Sequence, residues 1–141
     1  MTDEIEILRT MYQVQVTRSE HYENQRATLT NLILTLAAAL VALVTFDGNV
    51  SRTDTGTGLL VSLIGAFGFV ASTFHSWRAR RHGKRAEAYR NALDEKLPDA
   101  GINAIRRQIP EENTLLDRIW DAMHIAILLI GIFLVVLARI A

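Results

Sequence analysis

The segment Leu59–Arg85, LLVSLIGAFGFVASTFHSWRARRHGKR, decides the fold class of this chain. It is uncharged and mostly apolar as far as Phe74, and Trp77 then precedes a block of five cations. These cations are Arg78, Arg80, Arg81, Lys84 and Arg85. An apolar helix that ends in an aromatic residue and then in positive charge is typical of a membrane span at its cytoplasmic end. The segment therefore predicts a membrane protein.

The composition limits the classes of protein that the chain could belong to. Half of its 141 residues are apolar, and 15 basic side chains balance 15 acidic ones, so we expect no nucleic-acid partner. The chain has no cysteine, which excludes disulfides and thiolate chemistry. Its acidic start, MTDEIEILRT, lacks the basic residues of a secretory signal, so the spans themselves should direct insertion.

Three apolar runs predict an all-α integral membrane protein with three transmembrane helices and long cytoplasmic helical extensions. The first helix should be continuous from residue 4 to 46, the second should continue past its span to Pro98, and the third should begin at Pro110. A short helical turn is expected between the two prolines, with Ile102, Ile105 and Ile109 on one side. The expected segments are a cytoplasmic helix (1–27), a first span (28–46), an outer loop (47–57), a second span (58–76), a cytoplasmic helical region (77–118) and a third span (119–141).

The distribution of cations predicts the orientation in the membrane. The loop over 47–57 has one arginine and two aspartates, whereas the segment after the second span carries the five-cation block. Because positive charge is retained on the cytoplasmic side, the N-terminus should be cytoplasmic and the C-terminus outside. We expect a multi-pass protein of the cytoplasmic (inner) membrane.

Small residues within the spans predict close helix packing. They are Ala38 and Ala42 in the first span, and Ser62, Gly65, Ala66, Gly68 and Ser72 in the second. Small residues four apart allow helix backbones to approach closely in lipid. Since one protomer would not use all of these faces, we expect a homo-oligomer, with the first or third span lining any axial opening.

Trp77 and the five-cation block have more than one interpretation. Anionic headgroups of the bilayer would attract the cations and fix the orientation of the span, which is the simplest explanation. The alternative is a site for an anionic ligand such as a nucleotide.

Three polar residues form a candidate polar site in the spans: Asn31, Asp121 and His124. Asp121 and His124 are three residues apart on one face, and such a pair within a membrane can hold a proton or an ion. Their proximity to Trp120 favours interfacial water as their partner, and the same holds for Asn31 near the edge of the first span.

The sequence contains no pattern that indicates an enzyme. The histidines His21, His75, His82 and His124 are scattered without metal-ligand spacing, and no phosphate loop or nucleophile motif occurs. We expect no catalytic residue, no cofactor and no metal.

The layout resembles the RipA-type octameric membrane proteins of bacteria. The resemblance rests on ENQRATLTNLILTLAAALVALVTF with Asn31, on SWRARRHGKRAEAYRNALDEKLP with Trp77 and Arg78, and on the pair Leu97-Pro98. It implies a bacterial cytoplasmic membrane location and a ring-like homo-oligomer without an established reaction. The chain is also similar to the SLATT-type two-span membrane effectors, although its third span departs from that pattern.

These features predict a homo-oligomeric bacterial inner-membrane protein that forms a channel or acts as a membrane effector. The alternative is a non-catalytic accessory or scaffold subunit whose cytoplasmic helices hold an unknown protein partner. A symmetric ring with a continuous polar path would favour the first function, and a closed, lipid-filled centre the second. A holin-like lysis protein would carry a basic C-terminal tail, which this sequence lacks.

Overall fold

The computed structural model describes residues 2–46, 48–108 and 115–140, and these residues form an all-α protein without a strand. Two long helices are followed by a short one and a third apolar one. They are α1 (Thr2–Thr45), α2 (Thr55–Lys96), α3 (Ile102–Arg107) and α4 (Leu115–Ile140). Two 3₁₀ turns, Arg52–Asp54 and Pro98–Ala100, lie in the connections. The predicted all-α class is confirmed.

The first two helices are continuous, as the sequence predicts. α1 has 44 residues and contains neither proline nor glycine, so nothing in its interior weakens the backbone ladder. α2 has 42 residues and continues through Gly83 to Lys96, immediately before Leu97-Pro98. Each helix has a charged part and an apolar part. The charged part is the first half of α1 and the second half of α2.

The connection between α1 and α2 is shorter than the predicted loop over 47–57. The backbone N–H and the hydroxyl of Ser51 both donate to Asp54 Oδ2, at 2.8 Å each. In return, the backbone N–H of Asp54 donates to the carbonyl oxygen of Ser51 at 3.0 Å. These bonds start the helical turn at Arg52, and α2 follows from Thr55. The predicted second span therefore begins after α2 is already formed, and residues 55–57 belong to the helix.

The connection after α2 contains the predicted helical turn. Gly101 takes the left-handed conformation, with φ of 57°, and allows the chain to enter α3 after Pro98–Ala100. Asp94 then fixes α3, because its two carboxylate oxygens accept from the backbone N–H and the side-chain amide of Asn103, at 3.2 and 2.8 Å. Ile109 and the predicted helix start at Pro110 lie outside the described residues.

The helices contribute to two compact units. The apolar unit comprises the described residues 25–46, 48–74 and 115–140, with α1, α2 and α4 packed around Ile33, Ala37, Val61 and Ile127. By length and composition, its three helices are each able to cross a membrane. The sequence predicts these three apolar helices correctly.

The polar unit comprises the described residues 2–24 and 75–108. Here α1 and α2 bury Ala79, Ala86 and Leu93 together with the polar side chains of Gln15 and His82. Lys96 pairs with Glu4 at 3.0 Å, which joins the beginning of α1 to the end of α2. Among the described residues of this unit, two of the three buried apolar side chains are alanines, so polar side chains make up much of its interior.

Candidate functional site

Glycines set the close packing of α2 against α4 in the apolar unit. A Cβ atom added to Gly65 would lie 2.8 Å from Cα of Leu128, and one added to Gly131 would lie 2.8 Å from the carbonyl oxygen of Gly58. Real Cβ atoms do not approach so closely, so both positions need glycine for the backbones to meet. The small-residue face of the second span is therefore used within the protomer.

A buried hydrogen bond links α1 to α4 in the same unit. Thr30 Oγ1 lies 3.1 Å from Nε2 of His124, and each residue is only 1% exposed. Gly68 leaves the space for the imidazole, because a Cβ atom there would overlap His124 and would lie 2.9 Å from Cδ1 of Ile33. The interfacial water that we expected around His124 is replaced by protein, because the imidazole points into the helix bundle.

A second polar contact lies one turn away on α4. The Ser72 hydroxyl donates to Asp121 Oδ1 at 3.1 Å, and Ser72 is buried. Asp121 itself is half-buried. Trp120 directly precedes Asp121, and the guanidinium of Arg26 lies 5.8 Å from the centre of its ring. The predicted pair Asp121 and His124 thus belongs to a polar cluster with Thr30 and Ser72.

Asn31, the third residue of the candidate polar site, lies apart from this cluster. Its side chain is exposed, and it makes no hydrogen bond to any described residue. Its carbonyl oxygen accepts from the Thr35 hydroxyl at 2.8 Å. The structure therefore separates Asn31 on the outer surface of α1 from Asp121 and His124 in the interior.

Asn31 belongs to an exposed row of small and polar residues on α1, which we term the α1 stripe. Its members are Thr28, Asn31, Thr35, Ala38, Ala42 and Thr45, all exposed and spaced three or four residues apart. The adjoining exposed surface of α1 carries Leu32, Leu36 and Leu43. The predicted packing pair Ala38 and Ala42 therefore faces away from the helices of its own protomer.

The polar unit contains a cationic cavity. It has a volume of about 430 Å³ and is lined by Arg18, His21, Tyr22, Arg78, Arg81, His82 and Arg85. α1 supplies the first three of these residues and α2 supplies the other four. Among the described residues that line the cavity, none is acidic.

Ring contacts and hydrogen bonds fix the wall of the cationic cavity. Tyr22 and His82 stack with centroids 5.5 Å apart and planes at 11°. His82 Nδ1 lies 2.7 Å from Gln15 Oε1; since that oxygen can only accept, Nδ1 carries the hydrogen. The guanidinium groups of Arg78 and Arg81 lie 5.7 and 5.4 Å from the ring centre of Trp77.

The surroundings of the buried His82 in this cavity lower the pKa of its imidazole. Burial, and then the positive charges of Arg85, Arg18, Arg78 and Arg81, lower the pKa of His82 below its ordinary value of 6.5. In the described part of the chain, neither Arg18 nor Arg85 forms a salt bridge. Positive charge is thus concentrated in a cavity whose described lining residues include no carboxylate.

The predicted cationic block divides between two faces of α2. Arg78, Arg81 and Arg85 line the cationic cavity. Arg80 and Lys84 instead line a separate groove that also holds Glu23 and Glu87. The spacing of three and four residues separates the two sets, because a helix turns every 3.6 residues.

Sequence reasoning missed several members of both sites. Arg18, His21 and Tyr22 join the cavity only because α1 packs beside α2 in the polar unit, and Thr30 likewise joins His124 only across the helix bundle. Arg18 and Tyr22 are four residues apart, so the sequence does indicate that they share one face of α1.

The two sites differ in the chemistry that they can perform. The cationic cavity presents arginine forks, which bind oxyanions, and the polar cluster around His124 presents hydrogen-bonding groups in an apolar surrounding. Among the described residues, no group of three or more histidine or carboxylate side chains is placed to hold a metal ion.

No known protein family, curated protein or solved structure matches this chain. The resemblances to the RipA-type and SLATT-type proteins therefore stay predictions.

Proposed function

We propose that this protein is a three-span bacterial inner-membrane protein that forms a homo-oligomer around the α1 stripe and makes the membrane permeable. The α1 stripe is the observation that carries this proposal. It places hydroxyl, amide and methyl groups on the outer surface of α1, beside the large apolar side chains of Leu32, Leu36 and Leu43, which are also exposed. Such a surface suits a helix interface or a polar path better than it suits lipid.

Large exposed apolar side chains support the membrane location. Leu43 of α1, Val70 of α2 and Phe133 of α4 are 70%, 66% and 60% exposed. A soluble protein rarely exposes so many apolar residues together, because the contact with water costs free energy. Hydrocarbon chains of lipid are the natural partner for these surfaces of all three helices.

The amide of Asn31 supports an oligomer. Within hydrocarbon, an amide without a hydrogen bond costs several kcal/mol, and lipid tails offer no partner. A second copy of α1 in a symmetric ring would offer its own amide or the hydroxyl of Thr28 or Thr35. Ala38 and Ala42 would then allow the neighbouring backbones to approach closely.

The orientation rests on the same charges as in the sequence. Arg52 is the cation of the connection between α1 and α2, whereas Arg78 to Arg85 follow the apolar part of α2. The positive-inside rule then places the polar unit in the cytoplasm and the Ser51–Asp54 turn outside.

Subunit counting together with conductance tests this function. Purified protein in a mild detergent should appear as a closed oligomer by native mass spectrometry, and it should produce stepwise currents in a planar bilayer. Substitution Ala42→Leu should weaken the oligomer and reduce the currents, because the larger side chain separates the backbones. Leu43→Phe, a similar increase in size on the neighbouring exposed surface, is the control and should leave both unchanged.

Each other result has a defined meaning. Monomers alone would contradict the proposal, and equal effects of Ala42→Leu and Leu43→Phe would remove the α1 stripe as its basis. An oligomer that stays intact but carries no current would favour the accessory or scaffold subunit. The groove with Arg80, Lys84, Glu23 and Glu87 offers such a subunit a mixed-charge surface for a protein partner.

A further inference from the structure

The cationic cavity brings arginines from two helices to one small volume. Arg18 comes from α1, and Arg81 and Arg85 come from α2, more than fifty positions later in the chain. Its volume of about 430 Å³ falls within the range of roughly 300–1,000 Å³ that is usual for small-molecule sites. A simple orientation signal would require cations on α2 only, so the contribution of α1 needs another explanation.

The charge of the cavity favours an anion with more than one negative charge. Four arginines contribute to the lining, and none of the described residues that line the cavity is acidic. Bringing like charges together costs free energy in the empty cavity, and a bound anion would recover it. Arginine forks match the oxygen geometry of phosphate groups and can bind them through two parallel hydrogen bonds.

The side chains are also held in place before any ligand arrives. Arg81 packs on the ring of Trp77, and His82 is fixed between Tyr22 and Gln15. Ordered side chains lose less freedom on binding, so a ligand gains more affinity from each contact. The stacked ring pair gives the cavity a flat, rigid wall.

We propose that the cationic cavity of the polar unit binds a small molecule or headgroup that carries two or more phosphate groups. This inference goes beyond the proposed function and does not depend on a channel. Two arginines can hold one phosphate, and the lining arginines Arg18, Arg81 and Arg85 therefore offer more charge than one phosphate can match.

Two sources supply this chemistry. A soluble polyphosphate or nucleotide would enter from water. An anionic lipid with two phosphates is the other source, because Arg78 to Arg85 closely follow the apolar part of α2 in the sequence.

The experiment uses the full chain in nanodiscs of phosphatidylcholine, titrated calorimetrically with inorganic tripolyphosphate and with orthophosphate. In a parallel experiment, the protein is released from cardiolipin-containing nanodiscs in a native mass spectrometer, and the cardiolipin molecules that stay bound to it are counted. Arg81→Gln and Arg85→Gln should each weaken tripolyphosphate binding or cardiolipin retention by roughly tenfold, since each removes a charged hydrogen-bond donor. Arg9→Gln and Arg107→Gln, exposed cations of the same unit, are the controls and should have little effect.

If tripolyphosphate binds and the cavity variants lose this binding, the ligand is a soluble one. If only cardiolipin is retained, and the cavity variants retain less of it, the ligand is a lipid headgroup. The proposal is overturned if neither probe binds, if orthophosphate binds as tightly as tripolyphosphate, or if the control variants weaken binding as much as the cavity variants. Thermal melting followed by circular dichroism shows whether each variant is folded. Arg18→Gln replaces Arg81→Gln if the latter unfolds, because among the described residues Arg18 has no ring or salt-bridge partner to lose.

Discussion

The hydroxyl of Thr30 lies 3.1 Å from Nε2 of His124, although the two residues are 94 positions apart in the chain. Both side chains are buried among apolar neighbours, where water cannot compete for the hydrogen bond. The contact joins α1 to α4 at a defined register, and Gly68 of α2 leaves the space for it. All three helices of the apolar unit therefore contribute to this contact: the hydrogen bond joins α1 to α4, and α2 leaves space for it.

A double-mutant cycle should measure this contact directly. Thr30→Val keeps the shape of the side chain and removes the hydroxyl, so we expect a loss of about 1 kcal/mol in the free energy of unfolding. His124→Leu should cost a similar or larger amount, and the double variant should cost less than the sum. Thr73→Val is the control, because among the described residues the exposed Thr73 hydroxyl bonds only to the carbonyl of Phe69 on its own helix. Strictly additive losses would show that the two residues are not coupled.

Replacing Gly68 should disturb the packing around His124. Gly68→Ala places a methyl group against the imidazole and Ile33, so we expect a destabilisation of about 1–3 kcal/mol in the thermal unfolding of the detergent-solubilised protein. Gly83→Ala is the matched control in the same helix. There the nearest side-chain atom would be 3.9 Å away, so better helix propensity should stabilise the chain by about 0.5–1 kcal/mol. Equal effects at both positions would contradict the close packing at Gly68.

The polar unit should lose stability in mild acid because of His82. Folding lowers the pKa of this imidazole below 6.5, so at mildly acidic pH the unfolded chain binds more protons than the folded one. Its contribution to stability is therefore complete above about pH 6.5 and is lost as the pH falls through the folded pKa. Amide hydrogen exchange of residues 75–96 as a function of pH, corrected for intrinsic rates, measures this effect.

His82→Gln should flatten the pH dependence of that corrected exchange, because glutamine does not titrate. His21→Gln replaces an exposed histidine on the same cavity and should leave the dependence in place. A pH dependence that persists in His82→Gln would assign the effect to another group.

Asp94 should hold α3 in place. Its carboxylate accepts two hydrogen bonds from Asn103. Asp94→Ala should therefore lower the free energy of local unfolding of α3 by about 1 kcal/mol and increase amide exchange over residues 102–107. Glu95→Ala removes a neighbouring exposed carboxylate and is the control. Unchanged exchange in Asp94→Ala would show that Gly101 and Pro98–Ala100 suffice to position the short helix.

Much of the secondary structure could be predicted, because it depends on local properties of the chain. The absence of proline and glycine determines the length of α1, and Leu97-Pro98 determines the end of α2. Residues 55–57 of the predicted loop belong to α2, because the start of that helix depends on the side-chain pairing of Ser51 with Asp54. Gly65 and Gly68 lie close to α4, and this partner could not be read from their spacing alone.

The candidate sites could be predicted only in part. The cations of α2 and the pair Asp121 and His124 are visible in the sequence, since charge is informative next to apolar runs. Arg18 and Thr30 are not, because nothing in their local surroundings distinguishes them from other polar residues of a long helix. Their roles depend on which helices lie side by side.

The sequence by itself determined the helical class, the three apolar runs and the position of the cationic block, because helix period, hydropathy and charge are properties of neighbouring residues. Only the tertiary structure decided that His124 is buried against Thr30, that Asn31 faces outward, and that Arg18 joins Arg81 and Arg85 around one cavity. The physical reason is that these relationships arise from packing between helices distant in the chain. The backbone approach at Gly65, Gly68 and Gly131 sets that packing in the apolar unit, whereas in the polar unit it depends on contacts between α1 and α2 such as Gln15 with His82.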